Sequence, residues 1–253
     1  MQLKTFNVYD NKNKAVQDAY DMLTAKIHIN NNEKKLKTFA LTSCNPKEGK
    51  TSLAISLAIS VARSGWKVLL VDADMRKPTN EKRLNQESQL GLAEYLSGKI
   101  ELNEGICQTN IANLTYLSCG MNPNNPVELL CSMRFKQLLE KVPSNYDYVL
   151  FDTPALESVA DGSIIASNVD AALLVVEAGT TSMKSLKRAK EQLASLGANL
   201  TGVVLNKMKR RDYKKYYGSY NYFTKAKNTK RSLLGYLKNF LLPPSDQGIP
   251  KNF

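Results

Sequence analysis

The sequence predicts an α/β protein with a doubly wound, mostly parallel sheet, and two observations carry that prediction. Short apolar runs that read as fully buried strands recur along the chain, and segments of helical periodicity separate them. Apolar strands alternating with helices imply a sheet covered on both faces. The chain has 253 residues, 43% hydrophobic and 23% charged. That size and composition allow one large domain or two small ones, and exclude wholesale disorder, collagen-like repeats and coiled coil.

In chain order, an N-terminal segment, residues 1–36, contains a helix near 15–27. Thr38 to Ser43 (TFALTS) is a buried strand, followed by a loop with Pro and Gly and then a helix from Lys50 through Arg63, closed by Gly65. Lys67 to Asp72 (KVLLVD) is a second strand and Leu114–Leu117 a short one. Residues 126–141 have helical periodicity with Pro in the first turn. Asp147 to Asp152, Ala171 to Val176 and Leu200 to Asn206 are strands, with a helix Met183–Leu196 between the last two. The prediction is one domain over residues 1–206 and a tail over 207–253, without internal repeats.

Several classes of function fall away on composition. The longest charge-free stretch, Gly105 to Val127, is full of Asn, Gln and Pro, so it makes no transmembrane helix. The first residues lack the apolar core of a secretion signal, and a cytoplasmic protein is expected by elimination. Cys44, Cys107, Cys119 and Cys131 have no C-x-x-C spacing and read as core thiols rather than zinc ligands. His28, the single histidine, lies in a polar Asn-rich segment and reads as a surface residue, which argues against histidine-based nucleophilic catalysis.

The net charge of +12 is local. Eleven basic residues lie between Lys207 and Lys238 against one acid, Asp212, so the rest of the chain is nearly neutral. Such a tail suits an anionic partner, among which a membrane surface, nucleic acid and an acidic protein patch stay open, as does a merely solvated tail. Tyr213, Tyr216, Tyr217, Tyr220 and Tyr222 crowd the same region without strand-like alternation. They read as phosphoacceptors before an aromatic binding arm. Farther on, Leu233, Leu237, Phe240 and Leu241 share one helical face in residues 230–242, a pattern that suits an interfacial helix or packing on a protein surface.

The chemistry concentrates at strand ends. Glu48-Gly49-Lys50-Thr51-Ser52 follows a strand and opens a helix, the context that makes a G-K-[ST] run a phosphate-binding loop. Backbone N–H groups of the loop Pro46, Lys47, Glu48 and Gly49 (Pro46 itself having none) and of the helix N-terminus through Ser52 would cradle phosphates, Lys50 would neutralise the β- and γ-phosphates, and the Thr51 hydroxyl would ligate Mg²⁺. Cys44 departs from the full motif, which has Gly there. Asp72 and Asp74 lie just past the second strand, and Asp152 ends another as a Walker B acid does. In a parallel sheet, ligands bind outside the carboxyl ends of the strands, beside such a loop.

The runs Thr42 to Thr51, Val71 to Pro78 (VDADMRKP), Gly91 to Gly98, Asn125 to Leu130, Phe151 to Pro154 and Gly202 to Lys207, together with the tyrosine-rich tail, resemble the bacterial tyrosine kinases of the capsular and exopolysaccharide type. These lie within the wider ParA/MinD-like P-loop ATPases. The resemblance spans roughly Asp18 to Tyr222. It implies transfer of the γ-phosphate of ATP to tyrosine hydroxyls, first on the chain's own or a sister chain's tail, with ATP and Mg²⁺ as cofactors. Lys50 and Thr51 would hold phosphate and Mg²⁺. Asp72, Asp74 and Asp152 would divide Mg²⁺ coordination and activation of the tyrosine hydroxyl, with Asp72 favoured as proton acceptor. Arg76 would stabilise charge or serve an interface, and Asn206 would lie near the adenine. The implied partner is a transmembrane activator of the polysaccharide co-polymerase type, with the protein attached peripherally to the inner face of the plasma membrane. No nucleic-acid partner is expected.

Two departures bear on these implications. The family's E-x-x-R-x-x-R assembly run corresponds here to Asp18–Thr24, where Asp21 and Thr24 replace both arginines, so self-association stays open. Lys47 occupies a loop position often held by Gly. A ParA/MinD-like ATPase switch is a rival reading, although that class's signature lysine falls at Asn45. An ATP-binding adaptor without catalysis is another, opposed by the intact Lys50, Thr51, Asp72, Asp74 and Asp152.

Overall fold

The apolar runs read from the sequence form the central strands of one eight-stranded sheet. The computed structural model describes residues 5–8, 10, 13–31, 34–76, 90–209 and 212. Its elements are β1 (Thr5–Phe6), α1 (Lys14–Asn31), β2 (Thr38–Ser43), α2 (Lys50–Arg63), β3 (Val68–Asp72), α3 (Leu92–Leu96), α4 (Leu102–Gly105), β4 (Ile106–Thr109) and β5 (Leu114–Leu117). There follow α5 (Pro126–Leu130), α6 (Met133–Lys141), β6 (Tyr148–Asp152), α7 (Asp161–Asn168), β7 (Ala171–Glu177), α8 (Met183–Ser195) and β8 (Leu200–Asn206). The strand order is β1-β4-β5-β3-β6-β2-β7-β8, parallel throughout except where β4 runs against β5.

Each central strand feeds two cores, one per sheet face, because successive side chains point to opposite sides. Val68 and Leu70 of β3, Phe39 and Leu41 of β2, and Tyr148 and Leu150 of β6 pack beneath α2, which contributes Leu53, Ile55, Leu57 and Val61. Leu69 and Val71, Ala40, and Val149 and Phe151 face the other way, against Leu92, Phe135, Ile165 and Leu193 of α3, α6, α7 and α8. Both faces are dry, which is why these strands read as unbroken apolar runs.

Some expectations need correction. Residues 126–141 are two helices, not one: Cys131 closes α5, and the Ser132 hydroxyl caps α6 by accepting the Phe135 N–H at 3.3 Å. The continuous apolar period hides that break. The N-terminal helix runs farther than 15–27 in both directions. His28 is half-buried, with its ring 4.9 Å from Trp66 and Nδ1 3.1 Å from the Tyr148 hydroxyl. Cys44, Cys107 and Cys119 are buried thiols, but Cys131 is exposed. The replaced positions Asp21 and Thr24 turn toward α2, where Ser60 donates to Asp21 at 2.6 Å and lies 2.8 Å from the Thr24 hydroxyl. No helix among the described residues is long and apolar enough to cross a membrane.

Candidate functional site

The loop from β2 to α2 turns on Gly49, whose φ of 93° is the left-handed conformation that glycine adopts without a Cβ penalty. A Cβ there would fall 2.3 Å from the Asn206 side-chain nitrogen, so glycine also permits the close approach of β8. No side chain caps α2, and the amides at the start of a helix are the groups to which a phosphate binds. Cys44 takes the place of a motif glycine at little cost, since its thiol is buried in the core formed with Leu156 and Val176. Burial, followed by the charge of Glu48, pushes that thiol up to about 11.

Glu48 belongs to the loop's framework. Its buried carboxylate accepts the Asn45 backbone N–H at 3.0 Å, the Asn45 amide at 2.9 Å and the Thr181 hydroxyl. The Asn206 amide donates to the Glu48 carbonyl at 2.9 Å, and Lys207 bridges the Lys47 carbonyl (2.6 Å) and Glu177 (2.8 Å). The loop is therefore lashed to the carboxyl ends of β7 and β8. Pro46 and Lys47 are exposed, Thr51 and Ser52 are half-buried, and Lys50 is buried at 7% exposure.

Across from the loop, β3 and β6 pair so that Asp72 lies directly opposite Asp152. Both fall on the strand positions that face α2, in phase with Leu70 and Leu150. They are 2% and 3% exposed, and Asp74 is 6% exposed. Like charges opposite one another on neighbouring strands are unfavourable, the more so when buried. The Asp72 carboxylate is held at both oxygens: Oδ1 accepts the Asp74 N–H at 3.1 Å and Oδ2 accepts the Tyr116 hydroxyl at 3.3 Å. Burial, reinforced by the charge of Asp72, raises the Tyr116 phenol well above its ordinary value, so it stays protonated and donates.

The donor set suits a hard cation: buried carboxylate oxygens and a threonine hydroxyl, beside a lysine at the start of a helix. Among the described residues no cluster of three or more His, Cys, Asp or Glu forms a metal cage. The expected set Thr51, Asp72, Asp74 and Asp152 is thus not a preformed cage. Mg²⁺ requires none, because it keeps several waters and is bound through one or two carboxylates plus substrate phosphates. Arg76 is engaged elsewhere. Its guanidinium makes a two-pronged pair with Asp161 at the start of α7, at 2.8 and 2.9 Å, and Asp161 is fully buried. That bond, more than any other influence, holds Arg76 in its charged form.

Tyr213, Tyr216, Tyr217, Tyr220 and Tyr222, the helix expected over 230–242, and Lys77 and Pro78 lie outside the described residues. Sequence reasoning missed Tyr116, Thr181 and Asp161. Tyr116 reads as strand filler, and only the pairing of β5 with β3 reveals its reach to Asp72.

A family model described as an AAA domain matches residues 36–201. The tyrosine-protein kinase CpsD of Streptococcus pneumoniae is 39% identical over 199 residues, 77% of this chain and 86% of that protein. The solved kinase domain of the Escherichia coli tyrosine kinase ETK superposes with a TM-score of 0.73 at 34% identity, covering 77% of this chain and 76% of that one. The septum site-determining protein MinD of Pyrococcus horikoshii, solved with Mg-ADP, shares the fold at a TM-score of 0.58 and 19% identity, over 71% and 76% of the two chains.

Proposed function

The chain belongs to the bacterial tyrosine-protein kinases, P-loop enzymes of MinD-like fold, and on that premise we propose that it passes the γ-phosphate of ATP to the tyrosines of its own C-terminal cluster. The observation that carries this reading is the facing pair Asp72–Asp152, buried on the side of the sheet from which α2 and Lys50 begin. Two buried acids in register cost stability on their own. A phosphate-bound cation and a lysine offset that cost.

In the proposed reaction, Lys50 and the amides around Gly49 hold the β- and γ-phosphates. Thr51, Asp152 and Asp74 would hold Mg²⁺, which when bound would neutralise charge on the phosphate oxygens. A tyrosine hydroxyl, with a reference pKa near 10, is protonated at pH 7, and Asp72 accepts its proton as the oxygen attacks the γ-phosphorus. The bond to the β-phosphate oxygen breaks and ADP leaves. Arg76, being paired to Asp161, serves by fixing the chain beyond β3 rather than by touching phosphate. The Asn206 amide supports the loop through the Glu48 carbonyl, and its side-chain oxygen remains for the base.

Tyr213, Tyr216, Tyr217, Tyr220 and Tyr222 are the proposed acceptors. Each phosphate adds about −1.5 to −2 charges, so several would cancel much of the basic tail and release it from an anionic membrane face. The same reading supplies a transmembrane activator and a role in capsular or exopolysaccharide synthesis.

Incubation of the full chain with Mg-ATP, followed by mass spectrometry, tests the proposal. Phosphotyrosine is expected at the tail cluster and is lost in Lys50→Met. ATP hydrolysis without phosphotyrosine would replace it with an ATPase switch, and neither activity would leave an adaptor.

A further inference from the structure

The geometry points to Tyr116 as the residue that positions the Asp72 carboxylate for the transfer step. This rests on the reading of Asp72 as proton acceptor. Tyr116 sits on β5 opposite Leu70 of β3, two residues before Asp72 and on the same face. Diagonal cross-strand neighbours of that kind are about 7–8 Å apart at the backbone, a span that an aromatic side chain bridges. The Tyr116 hydroxyl reaches Asp72 Oδ2 at 3.3 Å, while the Asp74 N–H reaches Oδ1 at 3.1 Å.

A donor on each oxygen fixes the carboxylate plane, and with it the direction from which the group meets a tyrosine proton. With the phenol removed, the anchor at Oδ2 is lost and the group is held less firmly in that plane. Tyr116 is itself 1% exposed and packs in the same core as Leu70, which confines its ring. A misplacement of about 1 Å is enough to cost ~10²-fold in rate.

Tyr116→Phe deletes one oxygen and keeps the ring. In the full chain it is expected to lower kcat for tyrosine phosphorylation about 10-fold while leaving the KM for ATP, and the affinity for a fluorescent ADP analogue with Mg²⁺, within about twofold of wild type. Tyr148→Phe, which loses a partly buried hydroxyl bonded to His28 at the other end of the sheet, serves as control and leaves kcat unchanged. Because Tyr116 acts through Asp72, the double variant Tyr116→Phe/Asp72→Asn should be no slower than Asp72→Asn alone. An Asp72→Asn variant that loses activity beside a Tyr116→Phe variant that keeps full kcat overturns the inference and spares the site. An Asp72→Asn variant that keeps full activity overturns the reading of Asp72 itself, and this inference with it. Loss of nucleotide affinity in Tyr116→Phe, or additive losses in the double variant, would mark Tyr116 as structural and also overturn it.

Discussion

The two rims of the central sheet are made from the same strands and differ in how they treat polar groups. At the amino ends of β2, β3 and β6, polar groups close on one another. Asp170 accepts the Lys37 and Thr38 amides at 2.9 and 2.8 Å, Asp147 accepts the Lys67 amide at 2.8 Å, and His28 meets the Tyr148 hydroxyl. Rings complete this rim, with Trp66 4.9 Å from His28 and 6.0 Å from Tyr148, and Phe39 5.9 Å from Tyr148. At the carboxyl ends of the same strands, buried acids face one another beside a glycine-turned loop. The contrast teaches that one rim is arranged for stability. The other holds a concentration of charge that stability alone would not retain.

The contrast can be broken by substitution. Asp152→Asn should have the largest effect on chemistry, lowering tyrosine phosphorylation about 10²-fold or more, with phosphotyrosine yield over time as the measurement. Trp66→Ala at the opposite rim should do the reverse. A half-buried indole lost from a ring cluster costs roughly 2–3 kcal/mol by chemical denaturation, while the folded protein binds Mg-ADP as wild type does. A changed nucleotide affinity in Trp66→Ala would break the division between the rims.

Arg76→Ala sharpens the comparison from inside the functional rim. It leaves Asp161 buried without its two-pronged partner and should cost about 2 kcal/mol. The guanidinium is partly exposed, which keeps that figure below the range for a fully buried pair. If Arg76 contacted phosphate, its loss would appear first in nucleotide affinity and hardly in the melt.

What could be read in advance follows from the range of each signal. Strands β2, β3, β6 and β7 announce themselves because both faces are covered and their runs are mostly apolar, while the edge strand β8 is legible from its apolar content although one face is exposed. The loop and the three acids stood out because their strand-end positions are local facts of sequence. The two-residue β1 and the antiparallel β4 are too short to carry a period, and their pairing depends on contacts more than 100 residues apart for β1. The direction of the Glu48 side chain is not legible from its position in the loop, because its inward turn depends on Thr181, far along the chain. The partnership of Arg76 with Asp161 and of Tyr116 with Asp72 is equally non-local. The strand order that makes these pairs is not written in any one segment.

Thermal melting of the wild type and of Asp152→Asn, each with and without Mg-ADP, tests the central claim most directly. The account predicts that the variant alone melts at or above the wild type, because a facing buried charge is gone, and that Mg-ADP raises the wild-type midpoint by several degrees but barely moves the variant. A variant that melts well below the wild type without ligand, yet keeps the full shift with Mg-ADP, would contradict it.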